Sequence, residues 1–571
     1  MQRGGLACAC YADGVAWPSK VFLWAAGASL ALGQSTALLN ILSEELERNF
    51  AVLKQKADPP PYFLGYQVTE QQLFSTSASL GALKTLEQQH TRLLDVSVRV
   101  GSPKLDNYHR LPGERAQFTG GLPLPIEDQP AAIKQRLWRE TDRTYRQAVE
   151  RLIKVRTQQQ VKVAEEDQSE DFSREEPAVY QEAPVKAAYV ADPWVQRVRQ
   201  WSAEFKRWPQ ILTSQVAVGL QRETRYLVNT EGTRLQHGRG FARIWISARA
   251  KAADGMDLVL NETFDAEDPA RLPKDEEVRQ AIERLARDLT ALLRAPLADP
   301  FAGPAILSGR AAAVFFHEIF GHRVEGHRQK DEAEGQTFAR SLGSKVLPEF
   351  ISISFDPTRR QFEGKDLNGY YLYDDEGVKA RPVKVVENGV LKTFLLARSP
   401  VRGFTHSNGH GRRAPGYEVV SRQSNMFVES TRTVPEQRLR EMLIEEIRRQ
   451  NKPYGLYFRE VVGGLTTTAR AGIQAFKVIP VLVYRVWPDG RPDELIRGAD
   501  IVGTPLASFG RILATSDRWE VFNGYCGAES GNIPVAAVAP AVLVSEIEIQ
   551  KAEKSLDRPP LLPPPPEESA P

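Results

Sequence analysis

The chain has 571 residues, a formal net charge of +2, and 42% hydrophobic and 26% charged residues. That length can build more than one hydrophobic core, and the composition is that of a folded, soluble chain. Lys and Arg are interspersed with Asp and Glu without a basic block, which excludes nucleic acid as a partner class.

Lys20 precedes an apolar stretch of thirteen residues, Val21–Gly33. It is too short to span a bilayer comfortably and fits a secretory signal, with Ala31 and Gly33 as small residues before a cut near Gln34. Residues 1–33 are therefore read as a signal peptide. The expected location is periplasmic or extracellular, without stable membrane insertion once the leader is gone; cytoplasmic residence is the alternative. Cys8 and Cys10 would leave with the leader, so Cys526 would be the mature chain's one thiol and no internal disulfide could form. A lone thiol in an oxidising compartment is a liability unless something occupies it, and a metal would.

Residues 34–300 read as an N-terminal α/β domain. A helix is expected over 36–58, short strands over 61–100, and a long helix over 131–164. In that helix Ile133, Leu137, Trp138, Tyr145, Ala148, Val149, Leu152 and Ile153 recur at helical spacing. The acidic run 165–177, within a loop of about 165–190, reads as solvated. An amphipathic helix at 193–207, a β-meander at 211–263 and a helix at 275–294 follow. Residues 301–555 read as a mostly antiparallel β domain. Hairpins are expected around Asn388-Gly389 and Asp489-Gly490, with one helix at 435–450. The Pro-rich tail 556–571 cannot pack. The fold class is α+β, with the chemistry-bearing helix near the domain junction.

That helix carries "AAAVFFHEIFGHRVEGHRQ" (311–329), which holds three of the eight histidines. His317-Glu318-x-x-x-His322 is one residue longer than the zinc-peptidase pattern that sets two imidazoles on one helical face with a Glu beside them as base. At a separation of five, a regular helix would turn the rings roughly 140° apart. A ligand pair therefore requires a break in helical geometry within 318–323, and Gly321 permits one. Two histidines leave a catalytic zinc site one ligand short. Asp, Glu, another His and Cys526 are candidates; Cys526, in the glycine-flanked "NGYCGAESGN", can approach from a distant loop, and sulfur with imidazole suits Zn2+ over Mg2+ or Ca2+. Glu325 could orient a ligand ring or be a helix-end carboxylate. His410, in "SNGHGRR", could bind substrate or oxyanion or make only local contacts. His327 reads as solvent-exposed, and Arg412 and Arg413 as structural or peptide-contacting.

"HEIFGHRVEG" resembles the signature of the TldD/PmbA family of metallopeptidases, in its zinc-carrying TldD-like branch. "YYLYDDEGVKARPVKVVENGVLKTFLLARS" (370–399), "SNGHGRR" (407–413), "GADIVGTP" (498–505) and "CGAESGNIPVAAVAPAVLVS" (526–545) resemble the family's later segments in its order. The family often has Asp where this chain has His327, and residues 464–486 also depart from its pattern. The resemblance implies zinc held by His317, His322 and Cys526, and the family's glutamate matches Glu318; in the mechanism such a site would use, Glu318 is the general base and His410 a further catalytic candidate. It also implies a homodimer, or a heterodimer with a family partner, that hydrolyses unfolded or extended peptides. The alternative is a non-catalytic peptide-binding or scaffold subunit with a structural zinc.

Overall fold

The structure, a computed structural model, describes residues 8–11, 34–160, 167–183, 191–331, 334, 336–466, 468, 476–503, 509–554, 557–560 and 562. The signal-like stretch 20–33 and most of the Pro-rich tail lie outside the described residues. No described helix is long and apolar enough to cross a membrane.

The N-terminal half is built on an antiparallel sheet. The short strands expected over 61–100 are instead two long ones, Pro61–Ser79 and Ala82–Ser102, paired along almost their whole length. Toward the turn between them, residues 75–91 carry few large apolar residues, so the strand pattern fades in the sequence while the main-chain ladder continues. The meander follows as Thr213–Asn229, Arg234–Lys251 and Asp257–Ala266, and its first strand pairs with Pro61–Ser79. One face is covered by helices Gln34–Lys56 and Pro130–Gln159. Another cluster buries Ala191–Ala203 and Asp275–Arg294. In Pro130–Gln159, Ile133, Leu137, Ala148 and Leu152 are buried as their spacing requires, but Trp138 and Ile153 are exposed. Those two stand one residue past Leu137 and Leu152 and rotate off the core face.

The acidic run is solvent-facing at Gln168, Glu170, Arg174 and Glu176, as expected, but not at its middle. Asp171, Phe172 and Ser173 are buried. Asp171 bonds His109 Nδ1 at 2.8 Å, and the Phe172 ring lies between the Arg99 and Arg398 guanidiniums, 3.7 and 3.8 Å from its centroid. Ser173 O accepts from Arg398 Nη2 at 2.6 Å. The charge density of the run hides one aromatic that fastens it across both halves of the chain.

The C-terminal half is one large mixed sheet, mostly antiparallel. Ile512–Ala528 and Gly531–Lys551 form a long hairpin, and Gly455–Thr466 pairs with Phe476–Val486. Phe301–Leu307 bridges them, parallel to Gly455–Thr466 and antiparallel to Gly531–Lys551. Cys8–Tyr11 adds a short strand between Gly455–Thr466 and Ile512–Ala528. Helix Gly309–Ile319 packs onto these strands inside the largest apolar core. Helix Glu436–Arg449 contributes Leu439, Leu443 and Ile447 to a second cluster with Ile306 and Leu543. Residues 370–423 tie this half to the N-terminal sheet. Asp375 accepts from Gln67 Nε2 and the Arg413 amide (2.8 and 2.9 Å), and Arg413 Nη2 donates to Gln67 Oε1 at 2.6 Å.

Candidate metal centre

The site begins with a helix that has no choice but to be buried. Ser308 caps it, its Oγ accepting from Ala311 N at 3.1 Å and donating to Arg459 O at 2.9 Å. Every residue from Ala311 to Ile319 is buried. The helix ends at Ile319; Phe320 has φ −106° and ψ −52°, and a 3-10 turn spans Gly321–Val324. The regular geometry thus breaks inside the interval that the five-residue spacing demanded. Arg323, itself buried, holds the broken end. Its Nη1 donates to Glu318 O, Ile319 O and Thr466 Oγ1 at 3.1, 3.0 and 2.9 Å.

The break brings the two rings together, edge to face, with centroids 5.1 Å apart. Cys526 arrives from strand Ile512–Ala528, 204 residues beyond His322. Its Sγ lies 3.3 Å from His317 Nε2 and 3.3 Å from His322 Nε2. The three donor atoms lie within 4.8 Å of one another, and all three side chains are buried. Around a tetrahedral zinc, with bonds of about 2.3 Å to sulfur and 2.0–2.1 Å to nitrogen, sulfur and nitrogen stand about 3.5 Å apart. The donor set therefore fits such an ion in both chemistry and spacing. Burial holds His317 below its ordinary imidazole pKa, against the opposing pull of Cys526, which keeps it in the neutral, ligating form.

Glu325 is buried and accepts from His322 Nδ1 at 3.2 Å, leaving Nε2 for the ion. Burial opposes its charge, but His322, Arg328 and Arg422 outweigh it and hold the carboxyl below its usual range. Glu318 is buried, with its Cγ against Gly464: a Cβ there would stand 2.5 Å away. Gly464 and Cys526 both register with Cys10, so they face each other across the width of one strand.

The other sequence candidates fall elsewhere. His410 is buried, with Nδ1 3.2 Å from Asn408 Oδ1 and Nε2 3.2 Å from Ser424 Oγ. It is not in the His317–His322–Cys526 group, and burial drives its pKa down to about 3. His327 is half-buried rather than solvent-exposed and pairs with Glu529, which Arg328 also holds at 3.0 Å. Arg413 binds Gln67, and Arg412 Nη1 donates to Gln423 O at 2.7 Å.

Two neighbours, Arg422 and Gln423, were not singled out from sequence. Arg422 Nη2 donates to Cys526 O at 2.7 Å, Nη1 to Ser530 Oγ at 2.7 Å and Gly531 O at 3.1 Å, and Nε lies 3.4 Å from Glu325 Oε1. Gln423 Nε2 lies 3.3 Å from both His317 Nε2 and His317 O. A Cβ at Gly321 would collide with the Gln423 amide, and Gly321 is not in the left-handed region. Glycine is needed there for close approach, not for an unusual turn. The only signal in the sequence was an Arg-Gln pair set between serines just before the apolar strand Asn425–Ser430.

Residues 302–551 match the PmbA/TldA metallopeptidase C-terminal domain. A metalloprotease from Methanocaldococcus jannaschii is 29% identical over 265 residues, 46% of this chain and 53% of that protein. A zinc metalloprotease TldD homologue from Saccharolobus solfataricus is 24% identical over 277 residues, 48% of this chain and 57% of that protein. The match thus spans only about half the length of these relatives. TldE from Thermococcus kodakarensis has the same fold, with a TM-score of 0.60 at 16% identity over 90% of this chain and 100% of that one. Residues 302–551 thus form a domain of the PmbA/TldA metallopeptidase C-terminal type, and relatives of this stretch include a zinc metalloprotease TldD homologue.

Proposed function

We propose that this chain is a zinc-dependent peptidase acting on unfolded or extended peptides. The observation that carries the reading is the meeting of His317, His322 and Cys526 from two distant segments, with Glu318 next to the first ligand. Among the described residues this group has three members. A structural zinc would be closed by a fourth protein ligand. The nearby candidates have other partners: Glu325 bonds His322 and Arg328, and His327 pairs with Glu529. A three-ligand set leaves a position for water, which favours catalysis over a scaffold role.

Zinc in this site would polarise the scissile carbonyl and make its bound water more acidic. Glu318 then accepts the proton of the attacking water and delivers it to the leaving amine. His322 is kept in the correct tautomer by Glu325, and Cys526 is positioned through its carbonyl by Arg422. A thiolate donor lowers the acidity of the ion relative to an all-histidine set, which places more of the work on Glu318. His410 has no step here, since both its nitrogens have local partners. Assembly into a homodimer or a heterodimer with a family partner belongs to the same proposal, as does export by the N-terminal segment, which would remove Cys8–Tyr11 and open the strand position between Gly455–Thr466 and Ile512–Ala528.

Metal analysis of the purified chain, paired with digestion of an unstructured peptide, tests it. The reading predicts about one zinc per chain. Glu318→Ala should retain the metal and lose cleavage, and Cys526→Ala should lose most of both. Undiminished cleavage by Glu318→Ala would remove the proposed base.

A further inference from the structure

The mechanism above supplies a base and an ion but no protein group facing the oxygen that becomes negatively charged. Gln423 is built into the required place. It is buried, and its main-chain oxygen is pinned by Arg412 at 2.7 Å. Its side-chain nitrogen sits 3.3 Å from His317 Nε2, the same atom that stands 3.3 Å from the Cys526 sulfur. The same nitrogen donates to His317 O, also at 3.3 Å. The main-chain oxygen of His317 can only accept, which assigns the amide nitrogen to that side. Gln423 Oε1 has no hydrogen-bond partner among the described residues. The space for this amide exists only because residue 321 lacks a side chain. A glycine inside the His-Glu-x-x-x-His segment and a glutamine about a hundred residues later are thus one steric arrangement.

The ring of His317 cannot serve two partners with one lone pair. When Nε2 is bound to a metal, it no longer accepts from Gln423. One N–H of the amide stays on His317 O; the other is released beside the ligand sphere, in a water-poor site with no competing acceptor on His317.

We propose that Gln423 is a catalytic residue whose side-chain amide donates to the carbonyl oxygen as attack by water turns it into an oxyanion. No proton is transferred by Gln423. The water oxygen forms the new bond to the carbonyl carbon, the carbonyl π pair moves onto oxygen, and the amide N–H stabilises that charge. A donor that strengthens its bond only as charge develops raises kcat with little effect on substrate binding. The inference rests on the peptidase reading.

The test compares wild type with Gln423→Met, which keeps length and removes the donor. Three quantities are read: zinc content, kcat and KM on an unstructured peptide, and calorimetric affinity for a phosphinic peptide, whose tetrahedral oxygen mimics the intermediate. The expected result is a fall in kcat of about 100-fold, a comparable loss of phosphinic-peptide affinity, and unchanged KM and zinc content. Undiminished kcat overturns the proposal. So does a joint loss of zinc, substrate affinity and inhibitor affinity, which is what a merely structural glutamine would give. Gly321→Ala, which pushes the amide aside without altering it, should reproduce the kcat loss. A wild-type chain that neither loads zinc nor cleaves peptide would instead refute the underlying reading, and that shows before any variant is compared.

Discussion

Arg422 reaches both arms of the ligand set. It binds the Cys526 carbonyl directly, and it reaches His322 through Glu325. Lysine cannot make that fork. Arg422→Lys should weaken zinc affinity by about 10–100-fold, measured by competition with a chelator, while leaving the chain folded. His410 offers a separate test. Its folded pKa of about 3 lies below the ordinary value of 6.5, so the unfolded chain takes up a proton that the folded one refuses. Its contribution to stability is therefore complete above pH 6.5 and is lost as pH falls toward 3. Between pH 7 and pH 5 the loss is about 2 kcal/mol. Urea denaturation should show wild type losing that much more stability over the interval than His410→Asn. At this scale the sequence revealed the residues with unusual chemistry, His317, Glu318, His322 and Cys526. It concealed those whose role is a contact. Arg422, Gln423 and Arg323 are ordinary residue types, and only the folded chain shows what each one touches.

At the scale of elements, the central event is a helix that stops. His317 and His322 can meet only because Gly309–Ile319 gives way to a 3-10 turn, and Arg323 occupies the carbonyls freed by the break. A ligand pair at a spacing of five requires that break, so it was readable in advance. The reason for Gly321 was not, because its partner Gln423 is remote in sequence. Strand Gly455–Thr466 meets the same helix closely at Gly464, under Glu318. Gly464→Ala should displace the carboxylate and lower peptide cleavage by about 10²-fold, on the scale of losing a general base, with zinc content preserved. Equal activity in that variant would mean Glu318 has room to move aside and is not held for catalysis. Helices were legible where apolar residues recur with a 3.6-residue period, as in Asp275–Arg294, whose limits agree with the expected 275–294. The long hairpin Pro61–Ser102 was not, because the outer half of its second strand, 82–91, is largely polar and the backbone ladder carries it there.

Across the whole molecule, the N-terminal sheet steadies the site from a distance. Gln67, Arg225 and the strap Asp171–Ser173 hold the loops between 370 and 423, and those loops end at Arg422 and Gln423. Phe172 sits at the centre of that union, between two guanidiniums. Phe172→Ala should cost about 3 kcal/mol by denaturation, and the loss should reach the metal site as weaker zinc binding. A sequence reading weighted by charge assigns 165–177 to solvent, because one aromatic carries little weight among so many carboxylates. The α+β class and the position of the cluster helix were legible because each follows from local patterning; the docking of one half on the other depends on pairs such as Gln67 with Arg413, which no local pattern contains.

All of this depends on one sulfur and two imidazoles sharing an ion. Cobalt substitution reports that directly, since a thiolate bound to Co2+ gives an intense charge-transfer absorption and a tetrahedral ligand field. The chain should bind about one equivalent of Co2+ with that band, and Cys526→Ser should abolish the band while His317→Ala and His322→Ala weaken binding. Cobalt binding with no thiolate band in the native chain, or a band that survives Cys526→Ser, would contradict the account.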